Sequence, residues 1–537
     1  MVLPADLSEA TFNRAMERFR EVVGPDWVFT DEENVNLYRD AYSPLWGEEE
    51  ERVPSAAVAP SSAEEVQEVV RIANELSVPL YPISTGMNLG YGGAAPNLRG
   101  SVVLDLKRMN RIIEVDADRG FAIVEPGVAY FDLYRYINEQ GLDLWIDCPD
   151  PGWGSVIGNA LDHGVGYTYG TYRDHFSAHC GMEVVLPDGE IMRTGMGAMP
   201  NAESWGEYHY GFGPYIDGLF SQGNIGVVTK MGIHLMPAPQ AYRRAFARAP
   251  RRADIIPMVK IVNRLEHAGL IGMPRYGSPM RGIRDEGLAA LVDDPNGWDA
   301  DAIDDWAQTN NVPYWEVQLQ FYGPEKTIDA NWEYAQDLFN EAVSGATFEE
   351  GERARFPLSD EEIHNFPQRV SLGIPQLEVF SIGIRTETNP TPRDGHLWFA
   401  PVIPKSGEAV LRAQEVFSRA FREAGLPPAY GPFSGPSTWM YRTFVFLTGL
   451  SISRSNSEEN QRTRALFHQL IDIAAENGWG EYRTPPAFQD KVMSTYSFND
   501  NVLLRFHEKI KDAIDPNGII SAGRSGIWPK HIREQRT

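Results

Sequence analysis

Three short stretches of this chain carry little beyond backbone. Ser84 to Pro96 reads STGMNLGYGGAAP, Gly152 to Tyr167 reads GWGSVIGNALDHGVGY, and Phe220 to Lys230 reads FSQGNIGVVTK. Glycine reaches positive φ and lets a ligand approach the amides closely. A strand followed by SxGxNxGxGG therefore forms either a nest for an anionic diphosphate or a plain tight turn. The Rossmann pattern, GxGxxG opening a helix, is not what stands here, because GAAPNLRG continues into a strand. Three such segments, each offering exposed amides, suit an extended dinucleotide lying across several strand ends better than one isolated phosphate.

Other residues have the right chemistry but an ambiguous setting. His175 and His179 stand at i, i+4 beside Cys180, a spacing that a metal uses on a helix; no fourth ligand is evident, and no metal is assigned. His396, in TPRDGHLWFAP, follows a glycine and precedes aromatic and apolar residues; taken alone it reads as a satisfied core or surface histidine. Tyr482 and Arg483, in GEYRTP, read as an ordinary aromatic and a surface cation. Adjacent side chains point the same way only in a loop or at a helix end, which Gly478 and Gly480 make available. Asp150, in CPDPGWG, reads as a turn aspartate before Pro151.

The elements that must position these groups follow from periodicity. Ser61 and Ser62, each followed three residues later by Glu64 and Glu65, signal a helix start, and Val66, Val69, Val70, Ala73 and Leu76 continue it. VPLYPIS, SVVLDL and FAIVEPGV read as strands. MEVVLPDGEIMRTG reads as a hairpin about Asp188-Gly189. The strand GVVTKMGIHLM closes this part, with a boundary near residue 240. Longer helices such as TIDANWEYAQDLFNEAV and AVLRAQEVFSRAFREAG follow to about residue 480, with strand-like runs such as YWEVQLQFYG between them. The tail VLLRFHEKIKDAIDPNGIIS reads as an amphipathic helix, stopped by Pro516 and Gly518, that packs back on the first part.

At 537 residues the chain exceeds the roughly 250 to 300 at which one core tends to split. The 48 Lys and Arg against 74 Asp and Glu give a formal charge of −26, which repels nucleic-acid backbones and anionic membranes. The run Glu48 to Glu51 reads as a solvated acidic loop. With two cysteines, no basic and apolar leader, and no apolar run near the roughly 20 residues of a membrane span, the expectation is a soluble protein of the reducing cytoplasm.

With these segments in hand, the chain resembles the vanillyl-alcohol oxidase and para-cresol methylhydroxylase flavoprotein family, in particular its 4-phenol oxidases. STGMNLGYGGAAP, CPDPGWGSVIGN, GVGY, GMEVVLPDGEIMRTGMGAMP, YGFGPYIDGLFSQGNIGVVTKMGI, GWGEYRTP and DPNGIISAGRSGIWP stand in family order. The resemblance implies an α+β fold: an FAD-binding domain of the para-cresol methylhydroxylase type from residues 1–239, completed by 481–537, and an α+β cap over 240–480 that holds the substrate. It assigns cofactor contacts to Thr85, Gly86, Met87, Asn88, Leu89, Gly90 and Gly92, with Asn88 and the glycine amides donating to the diphosphate. Further contacts fall to Gly154, Ser155, Gly158, Asn159, Gly164 and Tyr167, and to Gly226, Val227 and Arg524. His396 matches the histidine that bonds FAD covalently through an 8α-N3-histidyl link, which should raise the flavin potential.

The same resemblance implies chemistry. Tyr91, Tyr482 and Arg483 match the groups that hold a phenolate oxygen, lowering the substrate pKa by opposite charge and hydrogen bonding. The phenolate then pushes a hydride from its benzylic carbon to flavin N5, leaving a quinone methide. Asp150 matches an acid near that carbon and assists proton transfer as water adds. Dioxygen would become hydrogen peroxide, a cytochrome or other acceptor being the alternative. The chain departs from family pattern at GVGYTYGTYRDH, where the pocket-wall tyrosine is either Tyr169 or Tyr172. It also departs at IGMPRYGSPMRG and PSTWMYRTFVF, where altered aromatics and added arginines suit a bulkier or more polar para-substituent. NAESWGEYHY is short where octameric relatives carry a longer loop, so a homodimer is expected.

Overall fold

The computed structural model describes residues 2–4, 6–294, 297–378, 394–425 and 430–536; Thr391 to Arg393 of the TPRDGHLWFAP segment lie outside them. Ser62 caps the helix Ala63–Leu76, its Oγ accepting from the Glu65 amide at 3.2 Å, while the Glu65 carboxylate accepts from the Ser61 amide at 2.7 Å. Such a cap is worth about 1 kcal/mol. The stripe Val66, Val69, Val70 and Ala73 is fully buried in the core of the first sheet. That sheet runs Val28–Phe29, Ala56–Val58, Val102–Asp105, Leu80–Ile83, its last three strands parallel. A central parallel strand is covered on both faces, so VVLD is buried throughout and reads as a continuous run rather than an alternation.

The open edge of this sheet is finished by the far end of the chain. The Leu80 amide donates to Ile519 O at 2.7 Å and the Ser521 amide to Leu80 O at 2.8 Å, and Ile519 and Ile520 enter the core beside Val66 and Leu104. Lys511 fixes this return. Its fully buried ammonium donates to Asp515 Oδ2, Asn224 O and Ile520 O, each at 2.6 Å. The tail helix Phe498–Ile514 leads into it but is less amphipathic in its packing than its sequence suggests, leaving Leu503 and Phe506 exposed.

A second, antiparallel sheet runs Ile112–Asp116, Phe121–Val124, Val227–His234, His179–Val185, Ile191–Arg193. Gly189 turns its hairpin at φ +84°, a conformation that costs glycine least. A third begins at Ala241: Arg275–Gly277, Trp315–Gly323, Ala241–Ala249, Thr347–Arg355, all antiparallel, with Ala241 facing Gly323 and Ala249 facing Trp315 in unbroken register. The helices Ile255–His267, Glu325–Ala342 and Gly407–Glu423 bury Val259, Phe339 and Phe417 in its core. The strand Asp394–Phe399 pairs with Thr448–Ser453 and sends Leu397 and Phe399 into that same core. By the two-residue alternation of a strand, His396 and Trp398 fall on the other face.

The acidic run differs from its expected solvated state. Glu51 is buried and takes two hydrogen bonds from Arg39, at 2.8 and 2.7 Å, while Glu48 pairs with Arg464 at 2.9 Å. Glu49 and Glu50 are exposed as expected, while Glu48 and Glu51 each meet an arginine that no local pattern reveals.

Removing the carboxylate beside Lys511 leaves a buried ammonium with only carbonyl partners, which costs about 3 kcal/mol or more. Asp515→Ala is therefore expected to lower the urea unfolding midpoint markedly. A midpoint equal to that of the parent protein contradicts this account of how the tail is held.

Candidate active site

The loop leaving the strand Leu80–Ile83 turns back through Gly86, Gly90, Gly92 and Gly93, all at positive φ. At Gly90 (φ +81°) an added Cβ would lie 2.7 Å from Trp398 Cδ1 and 3.3 Å from His396 Cδ2; at Gly92 (φ +113°) it would lie 2.5 Å from Pro486 Cδ. These two glycines seat the loop against the histidine strand and the turn after Arg483. Neither is among the residues that line the cavity beside this loop.

That cavity, of about 390 Å³, is where the three small-residue segments meet. Thr85, Gly86, Met87, Asn88, Leu89 and Tyr91 line it from the first. Gly154, Ser155, Gly158, Asn159, Gly164 and Tyr167 line it from the second, and Gly226 and Val227 from the third. Asp150, His396, Arg483 and Arg524 complete the wall, together with Trp398 and Trp439. Ser155 caps the short helix Val156–Leu161, accepting from the Gly158 amide at 3.0 Å and donating to Pro126 O at 2.6 Å.

One buried carboxylate joins these parts. Asp162, at the end of that helix, accepts from Asn88 Nδ2 at 2.6 Å, from Arg483 Nη1 at 3.3 Å and from Arg524 Nη2. Arg524 also donates to the Tyr81 hydroxyl at 3.4 Å. Asn88, expected to donate to a cofactor diphosphate, lines the cavity and here gives one of its two amide hydrogens to Asp162.

Around Arg483 three polar groups converge without closing on one another. The guanidinium carbon lies 3.9 Å from the centroid of the Tyr91 ring and 5.4 Å from that of Tyr482. The Tyr91 and Tyr482 hydroxyls and Arg483 Nε are all buried and without a hydrogen-bond partner. A buried polar group left so costs on the order of 1–3 kcal/mol, so three in one place are built for something that is absent: an acceptor, and with a guanidinium among them an anion. Burial raises the Tyr91 phenol well above its ordinary range, Tyr482 adding to the shift and Arg483 opposing it. Tyr91 is thus a neutral donor. Burial also works against the Arg483 charge, but Tyr482, Tyr91 and Asp162 outweigh it and hold the guanidinium protonated. Adjacent residues can share this task because Tyr482 and Arg483 lie in a bend, where Gln222 Nε2 fixes the Tyr482 carbonyl at 3.0 Å.

His396 stands between two aromatic rings, 5.0 Å from Tyr42 and 4.4 Å from Trp398. Its Nδ1 is buried with no partner, and burial pulls the imidazole down to about 4. It is therefore a neutral imidazole at the cavity wall, the form that can act as a nucleophile. Asp150 accepts a hydrogen bond from the Tyr167 hydroxyl. Burial raises its carboxyl, which Tyr167 and Arg275 pull back and Glu378 pushes further. Tyr167 is itself pinned by Asp147, which accepts from the Tyr167 amide at 3.1 Å and the Thr168 amide at 2.7 Å.

One expectation changes. Neither Tyr169 nor Tyr172 is in the cavity wall: both pack with Tyr242 and Tyr322, and the Tyr169 hydroxyl donates to Tyr322 O at 2.9 Å. Of the tyrosines in GVGYTYGTYRDH, Tyr167 is the one that lines the cavity. His175 and His179 are hydrogen-bonded to Asp147 and Asp217, at 2.9 and 3.1 Å. Among the described residues no cluster of His, Cys, Asp or Glu is arranged to hold a metal, and no helix is long and apolar enough to cross a membrane.

Comparison with known proteins gives this geometry its relatives. Residues 54–195 match a family model described as an FAD binding domain. The chain is 33% identical to the flavoprotein subunit of 4-cresol dehydrogenase (hydroxylating) of Pseudomonas putida, over 98% of each chain. It belongs to the vanillyl-alcohol oxidase and para-cresol methylhydroxylase family. Among solved structures, a 4-ethylphenol oxidase from Gulosibacter chungangensis in complex with isoeugenol is 34% identical, with a TM-score of 0.82 over 99% of this chain and 100% of that one. A p-cresol methylhydroxylase with substrate bound is 32% identical, with a TM-score of 0.81 over 98% and 99%. The chain is thus an FAD-dependent oxidoreductase of α+β fold and para-cresol methylhydroxylase type. The residues present fit the cofactor of that family. Three small-residue walls face one cavity, and a neutral histidine with an orphaned nitrogen borders it.

Sequence reasoning missed Asp162, Asp147, Gln222 and the two tryptophans. Asp162 offered the only local signal, a carboxylate inside a glycine-rich segment where bulk is otherwise excluded. Within this family member its loss should be severe. Asp162→Ala leaves two buried guanidiniums without their counter-charge and Asn88 without its acceptor, at about 3 kcal/mol or more. The expected result is a lower thermal midpoint and less flavin per protein by absorbance. A fully flavinated variant with the parental midpoint would count against Asp162 as the joint.

Proposed function

We propose that this protein oxidises para-substituted phenols, namely 4-hydroxybenzyl alcohols and 4-alkyl- or 4-allylphenols, at the benzylic carbon. The observation that carries the reading is the convergence of the Tyr91 hydroxyl, the Tyr482 hydroxyl and Arg483 Nε, three buried donors without an acceptor. A phenolic oxygen satisfies all three, and more strongly once it has lost its proton. Two hydrogen bonds and a fixed cation favour the anion, and a donor placed where charge develops is worth roughly 10²–10³ in rate.

Bound FAD supplies the hydride acceptor and hands the two electrons on, for which we propose dioxygen, giving hydrogen peroxide. The chain's own residues do the rest. Tyr91, Tyr482 and Arg483 hold the phenolate and orient its ring. Loss of the benzylic hydride leaves a quinone methide, still held at its oxygen. Asp150 takes a proton from the water that adds to the quinone methide of an alkylphenol, or from the hydroxyl of a benzylic alcohol as the aldehyde forms. We propose that His396 bonds the cofactor as an 8α-N3-histidyl link, its neutral, partner-poor imidazole supporting that role.

In the architecture that goes with this reading, residues 1–239 and 481–537 carry the cofactor and 240–480 cover the substrate. The sheet that begins at Ala241 and the tail that pairs with Leu80 support the division. A homodimer working in the cytoplasm completes the proposal. A second reading has a specific support: the Pseudomonas putida relative is a dehydrogenase and a flavoprotein subunit, so an external electron acceptor in place of dioxygen is the alternative.

Anaerobic mixing with 4-alkylphenols and 4-hydroxybenzyl alcohols, followed by air, tests both. Bleaching identifies substrates, and rapid return of colour with peroxide identifies an oxidase; slow return, hastened by an artificial acceptor, favours the dehydrogenase. If no para-substituted phenol bleaches the flavin while a hydroxy acid does, the phenol reading is wrong. Arg483→Met should reduce the bleaching rate by roughly 10²–10³ with flavin content unchanged.

The covalent link has its own readout. Acid-precipitated parent protein should keep its yellow colour, and acid-precipitated His396→Ala should lose it. Parent protein that bleeds all its flavin into the acid supernatant removes the link from the proposal.

A further inference from the structure

Arg275 has no assigned task, yet it packs on Tyr167, a residue of the cavity wall. It opens the strand Arg275–Gly277, whose register sets it opposite Gln318. Its neighbour Pro274 receives a hydrogen bond from the Thr438 hydroxyl, so Arg275 and the cavity residue Trp439 are held by one joint. The Arg275 guanidinium carbon lies 4.8 Å from the centroid of the Tyr167 ring, within the range of a cation–π contact. Its Nε is buried and meets no acceptor. Among the described residues it forms no ion pair, in contrast with Arg173, Arg243 and Arg483, which are all paired.

A half-buried cation without a partner is costly, and a structural role alone does not explain why it stacks on this tyrosine. The Tyr167 hydroxyl donates to Asp150, so the cation sits behind a donor whose acceptor is the proposed proton acceptor. We propose that Arg275 is a positioning residue that keeps Asp150 ionised, by placing an unpaired cation on the ring of the tyrosine that hydrogen-bonds it. The proposal rests on Asp150 acting as proton acceptor.

The other charged and titratable groups facing Asp150 make Arg275 the decisive one. Tyr167 stays neutral, since burial and Asp150 itself push its phenol well up. Cys148, on the same segment, is fully buried and its thiol is likewise pushed up. Glu378 adds negative charge, but Arg369 pairs with it at 2.9 Å. Burial most of all, and Glu378 with it, disfavours the Asp150 carboxylate; the Tyr167 hydrogen bond opposes them, and Arg275 is the cation that adds to that bond. Arginine suits the place better than lysine, because its planar, weakly hydrated guanidinium stacks on a ring without losing as much hydration.

The sign is set by these directions. The acceptor must be ionised, so water addition to the quinone methide, and with it formation of the hydroxylated product, falls as pH drops through the Asp150 pKa. Removing a cation raises that pKa and moves the acid limb to higher pH. The test is the pH dependence of formation of the hydroxylated product from one neutral 4-alkylphenol and from one 4-hydroxyphenyl carboxylate, in parent, Arg275→Met, Arg275→Lys and Asp150→Asn proteins. Arg275→Met is expected to move the acid limb up by about one pH unit, with the high-pH plateau within about threefold of the parent. Arg275→Lys, which preserves the charge if the methionine variant folds poorly, is expected to restore most of that shift.

An unmoved limb in both Arg275 variants, with the limb abolished in Asp150→Asn, overturns the inference. So does a loss confined to the carboxylate substrate, which would make Arg275 an anchor for an anionic substituent. A limb that persists in Asp150→Asn instead overturns the role given to Asp150.

Discussion

The site depends on one carboxylate held between two guanidiniums. Asp162 is reached by Asn88 from the first glycine loop, by Arg483 from the bend at the end of the chain's long insert, and by Arg524 from the C-terminal return. Four segments that are flexible by composition and distant in sequence are fixed by one charge, because leaving any of these charges buried and unpaired is strongly unfavourable. The cluster has two cations and one anion, so it keeps an excess positive charge beside the two orphaned phenols. A chain with a formal charge of −26 thus carries its local positive potential inside. Its surface repels anions in solution, while the interior rewards an anion formed there. The combination suits a ligand that arrives neutral and loses its proton on binding.

What the sequence discloses and what it hides divide along the range of the interaction. The helix Ala63–Leu76, its serine cap and its buried stripe are local, and periodicity displays them. The strands of the first two sheets and the Asp188-Gly189 hairpin are local for the same reason. The glycine segments are visible because positive φ has a compositional mark. Asp162 has only a faint one, its place inside a glycine-rich segment: at the end of a six-residue helix it resembles a solvated aspartate, and the approach of Arg483 and Arg524, more than three hundred residues on, makes it a joint. Glu51 hid in the same way, its partner Arg39 lying outside any pattern window. Tyr169 and Tyr172 show the opposite error. The two-residue insertion was plain in the sequence, but where it sends its rings is decided by the packing of Tyr242 and Tyr322, residues of the third sheet.

The glycine loop also shows how one composition serves different ends. Gly86 and the residues through Leu89 line the cavity, whereas Gly90 and Gly92 are outside that lining and lie against Trp398 and Pro486. Counting glycines makes both groups look alike. The second pair are small because other elements press on them, so the loop is clamped from behind by the histidine strand and by the turn that follows Arg483.

That clamp has a mechanical consequence. Tyr91 lies between Gly90 and Gly92, its backbone held on both sides by residues whose φ values of +81° and +113° few side chains tolerate. The strand behind Gly90 carries His396, and the turn behind Gly92 follows Tyr482 and Arg483. Any shift of the loop that moved Tyr91 would therefore also disturb the histidine beside the cavity and the two other phenol-facing groups. Protein cores transmit such displacements because they are packed to the density of organic crystals. The distance between a group held at Tyr91 and a group held at His396 is thus set by contacts behind the loop, not by the loop's own stiffness. A flexible sequence of glycines can in this way register two bound reactants as tightly as a helix or a strand would.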